Sequence, residues 1–175
     1  MEDQLKTDFL KIIKNSKFSK NNIKLKEEYL NKFIESGFPN KNHENWKFSD
    51  LNQIIKKKIG DLSFYNDYSL SNEINSSDFI DGLEHNKIVF INGRIEKIDF
   101  GYEEKDKIEI LDQLEIKKKF DNINSLVNLN NAFANKFYKI VIKKNYALQK
   151  PLIIYHITNN KIKSKNINLR LDFLL

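Results

Sequence analysis

The spacing of apolar positions divides the chain into a helical first third and a strand-rich remainder. Leu5, Phe9, Ile12 and Ile13 recur with helical periodicity, which predicts an amphipathic helix over residues 3 to 14. A loop holding Asn15, Ser16, Ser19 and Asn21 follows, and a second helix carries Leu25, Tyr29, Leu30, Phe33 and Ile34 on its inner face. That helix is expected to stop at Ser36 as C-cap, with Gly37 left-handed, Phe38 folded back onto Phe33, and Pro39 preventing resumption. Trp46 and Phe48 lie two apart, so an extended run would place both rings on the flank of the finished helix. Ser49 then caps a third helix over residues 51 to 59, its inner face formed by Leu51, Ile54, Ile55 and Ile59 and its end marked by Gly60. Three helices with single apolar faces must cover one another, so residues 1 to 60 are expected to form a small helical domain.

Residues 61 to 86 lose this pattern to Ser, Asn and Asp with scattered aromatics, and read as a connector interrupted by a short helix near residues 71 to 83. The period then becomes that of strands. Lys87 to Ile91 is a β-branched run, Asn92-Gly93 is a two-residue turn signal, and Arg94 to Ile98 returns as the second arm of a hairpin. Lys107 to Leu111 alternates as a further strand, and Asp112 with Glu115 gives an Asp form of a capping box opening a helix toward Phe120. Leu126, Leu129 and Phe133 share one face of a helix ending near Asn135. Strands follow at 138 to 142 and 152 to 157, with Pro151 at a strand start, where its missing N–H matters least. Ile167, Leu169, Leu171 and Phe173 alternate with Asn168, Arg170 and Asp172 in a last strand. Because that apolar strand runs to Leu175 without a turn or polar tail, the sequence is expected to be an N-terminal piece of a longer protein that self-associates through its open strand. The fold class is therefore α+β: helical unit 1–60, connector 61–86, β-rich region 87–175.

Composition adds limits. In 175 residues, 40% hydrophobic and 31% charged, no run approaches the ~20 apolar residues of a membrane span. The first residues lack a secretory signal pattern, which points to the cytoplasm. Zero Cys removes disulfides, thiolate catalysis and cysteine-held clusters from this chain. A net charge of +6 suggests a nucleic-acid-binding module as an alternative. Against it, Arg94 and Arg170 are the only arginines, and the Lys-, Asn- and Ile-rich composition is that of AT-rich coding.

No catalytic constellation is present, so the chain does not read as an enzyme, and no catalytic, cofactor or metal residue is assigned. His43, His85 and His156 have no partner at metal-ligand spacing; His43 and His85 read as solvated and His156 as a residue of a strand's exposed or hydrogen-bonded face. The five glycines form no phosphate loop, and no serine sits in a nucleophile elbow. Glu103 with Glu104, and Glu27 with Glu28, are sequence neighbours that diverge, and read as solvated charge. Trp46 reads either as a wedge between helices or as an anchor for a partner.

Three stretches resemble the SufD family, a subunit of the SufBCD iron–sulfur cluster assembly complex. The first is Gly37, Phe38, Pro39, Glu44, Trp46, Lys47, Phe48, Ser49 and Leu51, where the family has Tyr at Phe48 and Thr at Ser49. The second is the hairpin Phe90, Ile91, Asn92, Gly93, Arg94, Ile95. The third is Leu129, Asn130, Ala132, Phe133, Ile142, Asn145, Leu148, Pro151 and Leu152, where the family has Gly at Phe137 and Pro at Lys143. The resemblance implies a non-catalytic scaffold subunit with a right-handed parallel β-helix beginning near residue 175. It also implies SufB-like and SufC-like partners, a cluster assembled transiently on the full complex, and no small-molecule substrate, nucleic acid or membrane. The family's partner contacts lie mostly in its C-terminal half, as does its cluster-assembly histidine, so none of these is placed on residues 1 to 175. A SufB-like paralogue, which shares the β-helix, is the nearest alternative.

Overall fold

The structure is a computed structural model that describes residues 1–42, 44–64, 74–75, 78–113, 115, 124–158, 162 and 164–175. The protein is α+β. Its contacts gather into two compact units, one of Met1–Asn66, Leu114–Phe137 and Ser164–Arg170, the other of Asp67–Gln113, Tyr138–Lys163 and Leu171–Leu175. This division differs from the expected 1–60, 61–86 and 87–175, because a helix late in the chain returns to the helical unit.

In that unit, α1 (Glu2–Lys14) buries Leu5, Phe9 and Ile12, and α2 (Lys20–Ser36) buries Tyr29, Leu30 and Phe33. Ser19 is the N-cap of α2, its hydroxyl accepting from the Asn22 N–H, so Asn21 is helical rather than part of the loop. The helix from the third motif, α4 (Ser125–Phe133), is capped by Asn124 and packs along α2. Its apolar stripe, Leu129, Ala132 and Phe133, is too large to leave in water and closes the core over Phe9 and Phe64.

The end of α2 follows the sequence with one change. The Gly37 N–H bonds the Phe33 carbonyl at 2.6 Å, and the Phe38 ring meets Phe33 edge-on at 5.0 Å. Gly37 has φ 67° and ψ −170°, an extended conformation at positive φ rather than the left-handed helical one, and only glycine adopts it readily. A Cβ there meets nothing within 4 Å, so Gly37→Ala would act through backbone strain alone. The expected cost is about 1–3 kcal/mol in urea unfolding, and a loss below about 0.5 kcal/mol would show that the corner relaxes freely.

Beyond Pro39 the expected extended run is absent. Glu44–Trp46 form a 3₁₀ turn and the Ser49 N–H bonds the Trp46 carbonyl, so positions 46 and 48 no longer alternate as in a strand. Trp46 is half-buried, while Phe48 is 92% exposed. With Ser49 engaged in that turn, Asp50 takes over as cap, its carboxylate accepting from the Gln53 N–H at 3.0 Å. Helix α3 is only Leu51–Ile54, continued as a π turn at Ile55–Ile59 that closes through the Gly60 N–H on the Ile55 carbonyl. The wider turn rotates the expected stripe out of register, so Ile55 is buried while Ile54 and Ile59 face solvent.

The second unit holds two three-stranded sheets. In the first, β1 (Asn86–Ile91) is central between β2 (Arg94–Asp99) and β5 (Leu152–Ile157). Strands β1 and β2 form the expected hairpin, with Asn92 at φ 51° and Gly93 at φ 84° and a bulge at Val89/Phe90. Strand β5 pairs with β1 in parallel, from Asn86 opposite Leu152 to Ile91 opposite Ile157. In the second sheet the order is β3 (Ile108–Gln113), β4 (Phe137–Ile142), β6 (Arg170–Leu174). Asp112 lies inside β3 and therefore caps no helix; the helix expected toward Phe120 falls outside the described residues. Residue 78 is 3₁₀ and described residues 79 to 83 are bends and irregular chain rather than helix, and the rest of that expected helix is outside the described set except for irregular 74 and 75. The last strand starts at Arg170 rather than Ile167, and Asn168, expected on a polar outer face, is buried. No helix among the described residues is long and apolar enough to cross a membrane.

Candidate functional site

His43 lies outside the described residues. His85, expected to be solvated, is 4% exposed: its Nδ1 donates to the Leu83 carbonyl at 2.6 Å, which leaves Nε2 to accept from the Tyr155 hydroxyl at 2.7 Å. That hydroxyl also accepts the Ile80 N–H, and the Phe79 ring closes edge-on over Tyr155 at 5.0 Å. His156 lies on the open face of β5, as the strand alternation implies, stacked on Phe90 at 5.0 Å; partial burial lowers its pKa. Among the described residues no three of His, Cys, Asp and Glu converge as a metal site.

Glu103, expected to be solvated, is a hub of the second unit. Its carboxylate accepts from the Tyr146 hydroxyl, the Asn86 side-chain amide, and the N–H groups of Gln149 and Lys150. Withdrawal from water pushes its pKa up, but the bonds from Tyr146, Asn86 and the two backbone N–H groups outweigh that and leave it lowered. The His85–Tyr155 pair and this carboxylate both fix loop geometry.

The most unusual group is Lys26. It sits on the buried face of α2, is 0% exposed, and points its ammonium at the carbonyls of Asn131, Ala132 and Ala134, at 3.1, 3.1 and 2.5 Å. The rings of Phe18 and Phe137 lie 4.8 and 5.3 Å from it. Burial drives its pKa down to about 7, while the carbonyl end of α4 favours the charge. With its N–H groups directed at backbone carbonyls, the amine acts as a cap of α4 rather than as a nucleophile. The sequence carried a signal for it: Lys26 is three residues before Tyr29 and seven before Phe33, on the same stripe.

The surface feature best suited to a partner is a depression of about 360 Å³ beside Trp46, also lined by Ser36, Pro39, Asn45, Asn124, Ser125 and Leu126. Among the described residues its walls are an indole, a proline and a leucine, rimmed by amides and hydroxyls. Trp46 is therefore one wall of an open groove, neither a sealed wedge nor a free ring. The groove joins the residues after α2 to the first turn of α4, two parts of the chain about 80 residues apart. No family model and no curated protein matches the chain.

Proposed function

We propose that this chain is the N-terminal part of a SufD-like subunit, a non-catalytic scaffold in iron–sulfur cluster assembly. The observation that carries this reading is the meeting of two of the three resembling stretches in one place. Phe38 from the first and Leu129, Ala132 and Phe133 from the third lie in the same core, and Trp46 shares its groove with the start of α4. The second stretch supplies the Asn92-Gly93 hairpin, and Asn145 of the third takes φ 63°, a turn conformation that Asn tolerates. The parallel pairing of β1 with β5 suits the finer expectation, since a right-handed β-helix is built from parallel pairs stacked in register.

On this reading the protein works in the cytoplasm, with a SufB-like subunit and a SufC-like ATPase as partners of the full-length protein. The cluster is cargo of the assembled complex rather than a resident of this chain. The test is co-expression of the full-length gene product with the SufB-like and SufC-like proteins of the same source. A three-component complex that survives size-exclusion chromatography and accepts an iron–sulfur cluster is the expected result. Failure to copurify with either partner, while the product itself is soluble, overturns it. A product that takes the SufB position, pairing with an authentic SufD, establishes the paralogue instead.

A further inference from the structure

Between Lys47 and Ile59 the chain turns apolar and cationic side chains outward together. Phe48 is 92% exposed, and Ile54 and Ile59 are 44% and 40% exposed. The Lys47 ammonium lies 5.8 Å from the Phe48 ring. In a turn closed from residue i to i+5, as Ile55–Ile59 is, Ile54 and Ile59 stand on one side. Lys57 then lies opposite the buried Ile55, with Lys56 and Lys58 to either side of it, and all three lysines are exposed. Residues 51 to 60 hold no Asp or Glu, and the Asp50 carboxylate is occupied by the Gln53 N–H.

We propose that this segment docks on an anionic lipid bilayer, the Phe48 ring entering the headgroup boundary while Lys47 and Lys56 to Lys58 meet lipid phosphates. The segment lies on the membrane rather than across it, and so departs from the absence of a membrane that the resemblance implies. Complementary charge carries the choice of partner. Abundant lysine by itself needs no ligand, but elsewhere lysines pair with carboxylates, as Lys6 does with Glu2, Lys107 with Glu104 and Lys150 with Glu84. Among the described residues Lys56, Lys57 and Lys58 make no ion pair. A phenyl ring and two isoleucines gain by leaving water for the acyl boundary, and lysine stems lie along apolar surface while their ammonium groups stay among headgroups. Nucleic acid fits less well, since phosphate forks and base edges favour Arg, and the two arginines are in β2 and beside Asn131. An acidic protein also fits less well, since Lys is depleted where proteins meet.

The two contributions differ in kind and can be separated. Each lysine close to an anionic surface multiplies binding about fivefold, so the three on the turn together supply about 100-fold. That part is screened by salt and vanishes on a neutral bilayer. Insertion of the Phe48 ring supplies about 10-fold more and is insensitive to salt. Neither suffices alone, which makes the association reversible.

The test is sedimentation of the full-length gene product with vesicles of phosphatidylcholine alone, or of phosphatidylcholine and phosphatidylglycerol in equal parts, in about 0.1 M salt. Binding to the anionic vesicles alone is expected, reduced about 100-fold by Lys56→Gln, Lys57→Gln and Lys58→Gln together and about 10-fold by Phe48→Ser. The replaced side chains are exposed, so unchanged urea midpoints will show that the variants fold. Lys14→Gln, Lys17→Gln and Lys20→Gln together remove the same charge from another exposed stretch and are expected to cost less than about threefold. No binding to the anionic vesicles, a loss as large in this control, or wild-type binding by Phe48→Ser overturns the proposal. Tighter binding to polyglutamate or to an oligo-dT than to the vesicles, lost in the same variants, also overturns it and assigns the surface to an acidic protein or a nucleic acid. Vesicle binding and assembly with the SufB-like and SufC-like partners are measured separately, so either can fail alone.

Discussion

Replacing Phe133 with alanine is expected to lower the unfolding free energy by about 3–5 kcal/mol, read as a shift of the urea midpoint at unchanged slope. The ring is 1% exposed, meets Phe9 edge-on at 6.1 Å and lies tilted against Phe64 at 5.1 Å. It thus ties α4 to α1 and to the segment after Gly60, and its removal opens a cavity that three separate pieces of chain would have to close. Domains of this size carry only about 5–15 kcal/mol in all, so the variant loses a large share of its margin. A loss under about 1 kcal/mol would mean that α4 does not close this core. Phe133→Leu keeps most of the volume and is expected to fall well short of the alanine effect.

The second large effect belongs to Asp8, a carboxylate on the buried face of α1. It is 0% exposed and accepts the Phe64 N–H at 2.8 Å, the Ser63 hydroxyl at 3.3 Å and the Lys11 ammonium at 3.1 Å. Burial pushes its pKa up, but bonds from Gln4, the Phe64 N–H and Lys11, with the charge of Lys11, outweigh burial and leave it lowered. Asp8→Ala strands the buried Phe64 N–H and is expected to cost about 2–3 kcal/mol. A folded-state pKa below the unfolded value makes the pH dependence definite. The contribution of Asp8 is present above the unfolded carboxylate range and is lost as pH falls through the lowered folded value. Acid unfolding of the wild type is therefore expected to steepen at the low end of that range, and Asp8→Asn is expected to remove that component. Superimposable acid profiles for wild type and Asp8→Asn would show that the carboxylate is not held as charge.

Much of the architecture was legible because local rules and burial agree. Helices α1, α2 and α4 carry one apolar stripe each, and the first hairpin needs positive φ at the Asn92-Gly93 pair that can supply it. Legibility failed where a local signal had two readings of similar energy. Ser49 and Asp50 are both competent caps, and the Ser49 N–H closing on Trp46 decided between them. Trp46 and Phe48 look like strand neighbours until a 3₁₀ turn separates them. His85, Glu103, Asp8 and Lys26 were missed as buried or engaged groups because their partners come from elsewhere in the chain. Glu103 binds Tyr146, Gln149 and Lys150 from beyond position 140, and Lys26 meets carbonyls more than 100 residues away.

The sequence by itself determined helices α1, α2 and α4 with their apolar stripes, most of the strands, the stop at Gly37 and the hairpin turn, since each depends on residues a few positions apart. Only the tertiary structure decided that α4 joins the first helices, that β5 runs parallel to β1, and which polar side chains are enclosed. Those outcomes rest on which distant surfaces cover one another, and the desolvation of a charge is set by all its neighbours in space rather than by those beside it in the chain.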